Sequence, residues 1–245
     1  MPRPRVAEIL TLIDDGAAGR AALPARLCQE CLAALAISGV GLALMTADGP
    51  TGGIVAATDG PAQEMEELQF SLGEGPCVDA SSSGRPVLQP DLLKDAVARW
   101  PAFGPAVLAA GIRAIFAFPL QLGAIRLGVL DLYRSTPGSL SASELLDALA
   151  FADAATQVLL HLQHHDDDNG AQSMLTDAFD DRAVVHQATG MMTVQLDVSL
   201  AHALLRLRAH AYATEIHICV VAADVVDRSL RFDHSDAGSS RQARQ

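Results

Sequence analysis

Residues 73–80 set Glu74, Cys77 and Asp79 beside Gly73 and Gly75. Two carboxylates and a thiol on a glycine-punctuated loop could line part of a small-molecule pocket. The plainer alternative is a tight turn in which Cys77 is a small buried hydrophobe. A redox role for Cys77 needs a neighbour that stabilises the thiolate. The neighbouring charges are negative, which pushes a thiol pKa up. Cys28 and Cys31 stand at i, i+3 on one helix face. That spacing permits a redox or metal pair, but a lone Cys-x-x-Cys inside an amphipathic helix is a weak signal and core packing explains it better. His161, His164 and Asp166 could be drawn as metal ligands, but residues 161–170 read as a solvated joint and no second ligand group matches them. Further on, Arg206, Arg208 and Tyr212 lie away from the Leu and Ala positions of a helical pattern. Guanidinium forks suit phosphate and base edges, and a phenol ring can stack on a splayed base. Thr189 and Gly190 leave room for close backbone approach; the alternative is that both arginines are solvated surface and Gly190 serves helix packing. No phosphate-binding Gly-Lys-Ser/Thr loop, His-Glu-x-x-His or serine elbow is present. No catalytic residue, metal or cofactor is therefore expected.

The elements that must position these groups fall into two kinds. Residues 3–14 and 24–37 read as helices, the latter with Leu27, Cys31 and Leu35 at helical spacing. Residues 39–46 and 53–58 read as a hairpin around a turn-rich 47–52 segment, and 61–70 as a helix with Pro61 in its first turn. Residues 73–84 read as a compact loop, 86–89 as a short strand, and 97–110 as partly helical. The two strongest strands are 114–121 and 125–133. Hairpins flanked by helices indicate an α+β fold on an antiparallel sheet. Ser141 then opens a long helix with two apolar stripes. Leu145, Leu149, Ala152, Thr156 and Leu159 form one; Phe151, Ala155, Val158 and Leu162 form the other. One stripe can pack on the sheet, leaving the second for the same helix of another subunit, unless both make one wide face inside a monomer. The C-terminal region reads as a three-helix bundle. Val185, Ala188, Met192 and Leu196 form the first apolar face. The second, capped by Ser199, carries Leu200, Ala203, Leu204, Leu207 and Ala211. Ile218, Val221, Ala222, Val225, Val226 and Leu230 form the third.

The 245-residue chain carries a formal net charge of −12, which taken alone argues against a nonspecific nucleic-acid binder. The charge is uneven. Residues 1–171 hold ten basic and twenty acidic side chains; residues 182–231 hold five and four. Only the C-terminal part is a plausible place for phosphate. Glu8, Asp14 and Asp15 interrupt any signal-peptide core, no stretch reads as a bilayer span, and the four irregularly spaced cysteines fit reduced thiols. A cytoplasmic protein is expected.

Two ordered series of motifs carry a family resemblance. Glu67, Leu68 and Gln69 precede Gly73, Glu74, Gly75, Pro76, Cys77, Val78, Asp79 and Ala80; then come Arg99, Trp100 and Pro101, residues 111–114 (Gly-Ile-Arg-Ala) and residues 127–133 (Leu-Gly-Val-Leu-Asp-Leu-Tyr). This series resembles the GAF domain of bacterial GAF-ANTAR regulators. The second runs through residues 186–192 (His-Gln-Ala-Thr-Gly-Met-Met), Ser199, residues 203–211 and residues 221–226, and is similar to the ANTAR domain. Many members carry Lys in place of Thr189 and an acidic residue in place of His202. The resemblance implies a 1–22 N-terminal helix, a 23–165 GAF sensor, a 166–171 acidic joint, a 172–232 ANTAR domain and a 233–245 flexible tail. It implies a homodimer that binds tandem hairpin loops of nascent transcripts and promotes transcription antitermination. Gln187, Thr189, Gly190, Arg206, Arg208 and Tyr212 would contact RNA, and Glu74, Cys77 and Asp79 would line the ligand site. The alternative is a small-molecule or protein-binding sensor with a dimerising helical tail and no RNA binding.

Overall fold

A computed structural model describes residues 4–14, 22–45, 53–164 and 182–233. The 166–171 joint and nearly all of the 233–245 tail lie outside the described residues. The chain divides into two compact units, residues 1–179 and 180–245.

The first unit is built on a five-stranded antiparallel sheet: β1 (Gly39–Leu44), β2 (Ile54–Ala57), β3 (Val87–Gln89), β4 (Ala114–Leu122) and β5 (Ile125–Arg134), in the order β2-β1-β5-β4-β3. Strand alternation sends successive side chains to opposite faces. Val40, Leu42, Phe116, Phe118, Leu130 and Leu132 join one core with α1 (Pro4–Ile13), α2 (Leu23–Ala34) and α7 (Ala142–His164). Ile115, Ala117, Val129 and Tyr133 join another with α3 (Gly60–Leu72), α4 (Pro76–Ser83), α5 (Leu92–Arg99) and α6 (Phe103–Ala109). The sheet is thus buried on both faces.

Residues 76–83, expected as loop, form α4. Its serine-rich sequence has weak intrinsic helix preference, and its N-terminus lacks a cap of its own at Gly75. The missing cap is supplied from α3, as described below. The helix expected within 97–110 is two helices, α5 and α6, broken at Trp100, Pro101 and Ala102.

Ser141 starts α7 with a reciprocal capping box: its Oγ accepts from Glu144 N at 3.2 Å, and its N–H donates to Glu144 Oε2 at 2.7 Å. The stripe expected to remain open on α7 does not. Phe151, Ala155, Val158 and Leu162 are buried, as are Ala152 and Leu159 of the other stripe. The reason is α1 and α2, which cover α7 on the side away from the sheet. One wide face within a single chain accounts for both stripes. Contrary to the sequence reading, residues 142–162 are long and apolar enough to cross a membrane by length and composition; half of that stretch is packed inside the protein. No other single described helix meets that test.

In the second unit, α8 (Ala183–Leu196), α9 (Leu200–Thr214) and α10 (Ile218–Val226) pack on one another. Val185, Ala188, Met192, Leu196, Ala203, Leu207, Ala211, Ile218, Val221, Ala222 and Val225 are buried, following the expected 3–4 spacing. Leu200 departs from it: it stands at the first turn of α9 and is exposed. Ser199 Oγ caps α9 by accepting from His202 N at 3.3 Å.

Candidate functional site

A polar cluster lies inside the first unit, between α3, the start of α4 and β5. Asp131 and Tyr133, two apart on β5, face the same side of the sheet; Glu66 and Gln69, three apart on α3, share a helix face. All four are buried. Gln69 Nε2 donates to Asp131 Oδ2 at 3.0 Å and to the Tyr133 hydroxyl at 3.3 Å. Its Oε1 accepts from Cys77 N at 2.9 Å, so Gln69 serves as the N-cap that α4 lacks. The Tyr133 hydroxyl donates to Glu66 Oε1 at 2.7 Å.

Small residues make the space. Asp131 pairs in register with Gly41 on β1 and Ala117 on β4. A Cβ at Gly41 would overlap the Glu66 carboxyl, so only glycine lets Glu66 lie over β1 beside Asp131. Gly75 adopts φ +129°, open to glycine and rarely to other residues, and a Cβ there would run into Gln69. Burial pushes the Asp131 carboxyl well above its ordinary value, and the nearby Glu66 charge adds to the effect. Burial likewise pushes the Tyr133 hydroxyl up, followed by the charges of Glu66 and Asp131.

The three residues expected at a ligand pocket do not converge. Cys77 is buried and faces Glu66 and Asp131, their ligand atoms all within 4.8 Å of one another. Glu74 instead caps α6, its Oε2 accepting from Ala102 N at 2.9 Å and Phe103 N at 3.3 Å. Asp79 Oδ2 accepts from Arg99 Nε at 3.1 Å, Arg99 Nη2 at 2.8 Å and Trp100 Nε1 at 3.3 Å, while the Arg99 guanidinium stacks 4.7 Å from the indole centroid. The glycine-rich stretch and the Arg-Trp-Pro stretch are therefore partners, with Glu74 and Asp79 holding the α5–α6 corner. A cavity of about 420 Å³ lies elsewhere, between α1, α2 and α7, lined by Leu10, Ile13, Leu23, Gln157 and Val158 among others.

Cys28 and Cys31 pack in the core on the sheet face opposite Cys77. Burial pushes the Cys28 thiol up to about 12, with a smaller push from Glu66; burial and then Cys28 push Cys31 well above the ordinary range. The three thiols do not meet in one cavity. Cys219, half-buried on α10, is the most accessible of the four. A thiol reagent at pH 8 should therefore label Cys219 in the native chain, and Cys28, Cys31 and Cys77 only on unfolding. Rapid native labelling of two or more thiols, counted by mass, would contradict this burial.

In the second unit, Thr189 is buried and its hydroxyl donates to the Val185 carbonyl at 2.6 Å, which turns it away from solvent. Gln187 is exposed, Gly190 is half-exposed, and a Cβ at Gly190 would meet nothing within 4 Å. Tyr212 is exposed on α9. Arg206 is half-buried and donates to the Asp233 carbonyl at 3.5 Å, at the long edge of hydrogen-bond range. Arg208 is half-buried, with Nε and Nη2 shielded from solvent. Arg228 and Arg231, counted in the charge of residues 182–231 but not among the expected contacts, are both exposed just beyond α10. Arg206, through Asp233, lies against the segment that carries Arg231.

A family model described as GAF domain matches residues 21–160. No curated protein matches the chain. The fold is similar to that of the GAF domain from an Acinetobacter phosphoenolpyruvate-protein phosphotransferase, with TM-score 0.50 and 12% identity over 67% of this chain and 96% of that one. Similar too are the GAF domain of a Coxiella burnetii phosphoenolpyruvate-protein phosphotransferase (TM-score 0.48, 15% identity, 65% and 95% covered) and a type II free methionine-R-sulfoxide reductase from Thermoplasma acidophilum (0.47, 15%, 58% and 93%). With an antiparallel five-stranded sheet between two helical layers, and with the family match spanning more than half its length, the chain belongs to the GAF domain family.

Proposed function

We propose that the chain is a signal-responsive, RNA-binding regulator in the cytoplasm. The GAF domain is its sensor, and the C-terminal helices, which resemble an ANTAR domain, bind tandem hairpins in nascent transcripts and promote antitermination. The observation that carries this reading is a separate compact unit of three packed helices bearing exposed Tyr212, Arg228 and Arg231. Folded RNA is read at its loops, where stacking and guanidinium contacts suit splayed bases and phosphate. Gln187, Gly190 and Arg206 complete the proposed contact set. Buried Thr189 supports the helix from within, and Arg208 contributes through what remains open of its guanidinium. The protein works as a regulator and not as an enzyme, with no resident organic cofactor.

The full chain should retain an RNA with two small tandem hairpins and release one whose loops are scrambled. Arg206→Ala should weaken that binding at fixed salt and flatten its salt dependence by about one phosphate contact. Equal retention of both RNAs, or none at low salt, would remove the RNA reading.

A second reading, a sensor whose helical tail docks on protein, is favoured by one observation. Leu205 and Tyr212, seven residues apart on α9, are both about 60% exposed. In that case α9 meets its counterpart in a homodimer and no RNA is retained at any salt. Sedimentation of the chain and of Leu205→Glu separates the two: loss of a dimer together with loss of RNA retention fits a dimeric RNA binder, and loss of the dimer alone, with no RNA ever retained, fits the second reading.

A further inference from the structure

We propose that Glu66, Cys77 and Asp131 form a binding site for one divalent cation of the zinc class inside the GAF domain. The three side chains come from α3, α4 and β5, and one ligand atom from each lies within 4.8 Å of the others. Zinc-type bonds run ~2.0–2.3 Å to oxygen and sulfur, so a cation between the three atoms needs only a small contraction. Two hard carboxylate oxygens and one soft thiolate suit Zn²⁺ or Co²⁺ better than Ca²⁺ or Mg²⁺, which take all-oxygen shells.

A second observation points the same way. Asp131 is completely buried, its Oδ2 accepts from Gln69, and the other groups that bond to its carboxyl are Glu66 and the Cys77 thiol. Charge buried without an opposite charge is costly, so two buried carboxyls packed against each other and a thiol mark a place for a cation. No basic side chain is among the groups that act on Asp131. The surroundings supply what ligands need to hold their orientation: Tyr133 donates to Glu66, Gln69 donates to Asp131, and Gln69 accepts from the Cys77 backbone. Cation entry displaces the thiol proton of Cys77, and any proton held between the two carboxyls, to solvent. Two carboxylates, one thiolate and the dication then sum to one negative charge.

The site depends on the GAF fold and stands whether or not the C-terminal helices bind RNA. The test uses the full chain, stripped by chelator and then equilibrated with Co²⁺. The expected result is one tightly held equivalent and a near-ultraviolet thiolate-to-cobalt charge-transfer band, both displaced by Zn²⁺. Cys77→Ser should lose the band, and Asp131→Asn should weaken binding at least tenfold while keeping native Trp100 fluorescence. No retained cobalt in the wild-type chain, or a band that persists in Cys77→Ser, would overturn the assignment. A shared proton between Glu66 and Asp131 would then be the occupant. RNA retention with and without Zn²⁺, read separately, reports on coupling to the second unit without bearing on the metal assignment.

Discussion

Gln69→Leu should lower the stability of the GAF domain by about 3–5 kcal/mol, because it strands two or more buried groups at ~1–3 kcal/mol each. Leucine fills much of the same volume but neither donates nor accepts. The Cys77 N–H loses the acceptor that starts α4, and Asp131 Oδ2 loses the donor it takes from Gln69. The Tyr133 hydroxyl loses a neighbour and keeps Glu66. Against a typical domain stability of ~5–15 kcal/mol this is a large fraction. Trp100 is the only tryptophan and is buried in the GAF core, so its fluorescence in a urea titration reports on this unit alone and avoids treating a two-unit chain as one transition. A midpoint within experimental scatter of wild type would show that Gln69 does not hold the cluster together.

Asp131→Asn should act in the opposite direction, and increasingly so as pH rises. In the unfolded chain this carboxyl loses its proton near the ordinary value of 3.8. In the folded chain burial, and then the Glu66 charge, hold the proton on to well above that. The contribution to stability is therefore fully present below the unfolded value and is lost as pH rises through the folded value, where the folded state must ionise a buried acid or keep a proton that solvent would take. Asparagine does not titrate. Its oxygen can accept from Gln69 as Asp131 does, and its amide can donate to the Glu66 carboxyl. With chelator present, urea midpoints read from Trp100 should match wild type at acid pH and pull ahead of it through neutrality into mild alkali. A variant less stable than wild type at pH 8 would reverse the sign and show that the folded protein prefers Asp131 charged.

The two substitutions separate what the residues of one cluster do. Gln69 makes the cluster fold, by joining a helix start to a strand. Asp131, whose buried carboxyl resists ionising, is expected to cost stability at neutral pH, and its place beside a thiol and a second carboxyl fits a binding role.

The sheet was readable from sequence where alternation was strong: the hairpin of β4 and β5 turns at Gly123, as expected, and Ser141 and Ser199 cap their helices because a cap is a local matter of a few residues. α4 was not readable. Its proline, three serines and flanking glycines all read as loop, and the acceptor that starts it comes from Gln69, eight residues away on another helix. The polar cluster escaped for a related reason, since Glu66 and Tyr133 meet across 67 positions. One signal was there: Asp131 is the one charged residue within the run 127–133 of β5, and a charged residue in a doubly covered sheet needs a partner. Glu74 and Asp79 share the glycine-rich stretch with Cys77, yet α4 turns Cys77 inward and leaves the other two on the α5–α6 corner. The spare stripe of α7 was misjudged because α1 and α2, read only as separate helices, fold back to cover it.

The ends of the sheet carry a consequence for self-assembly. Its border strands are β2, four residues long, and β3, only three, set between Pro86 and Pro90. Proline offers no amide hydrogen, and such short borders present few open backbone groups, so both rims are poor templates for an added strand from another chain. Fibrillar growth by rim-to-rim addition of this sheet is thereby discouraged.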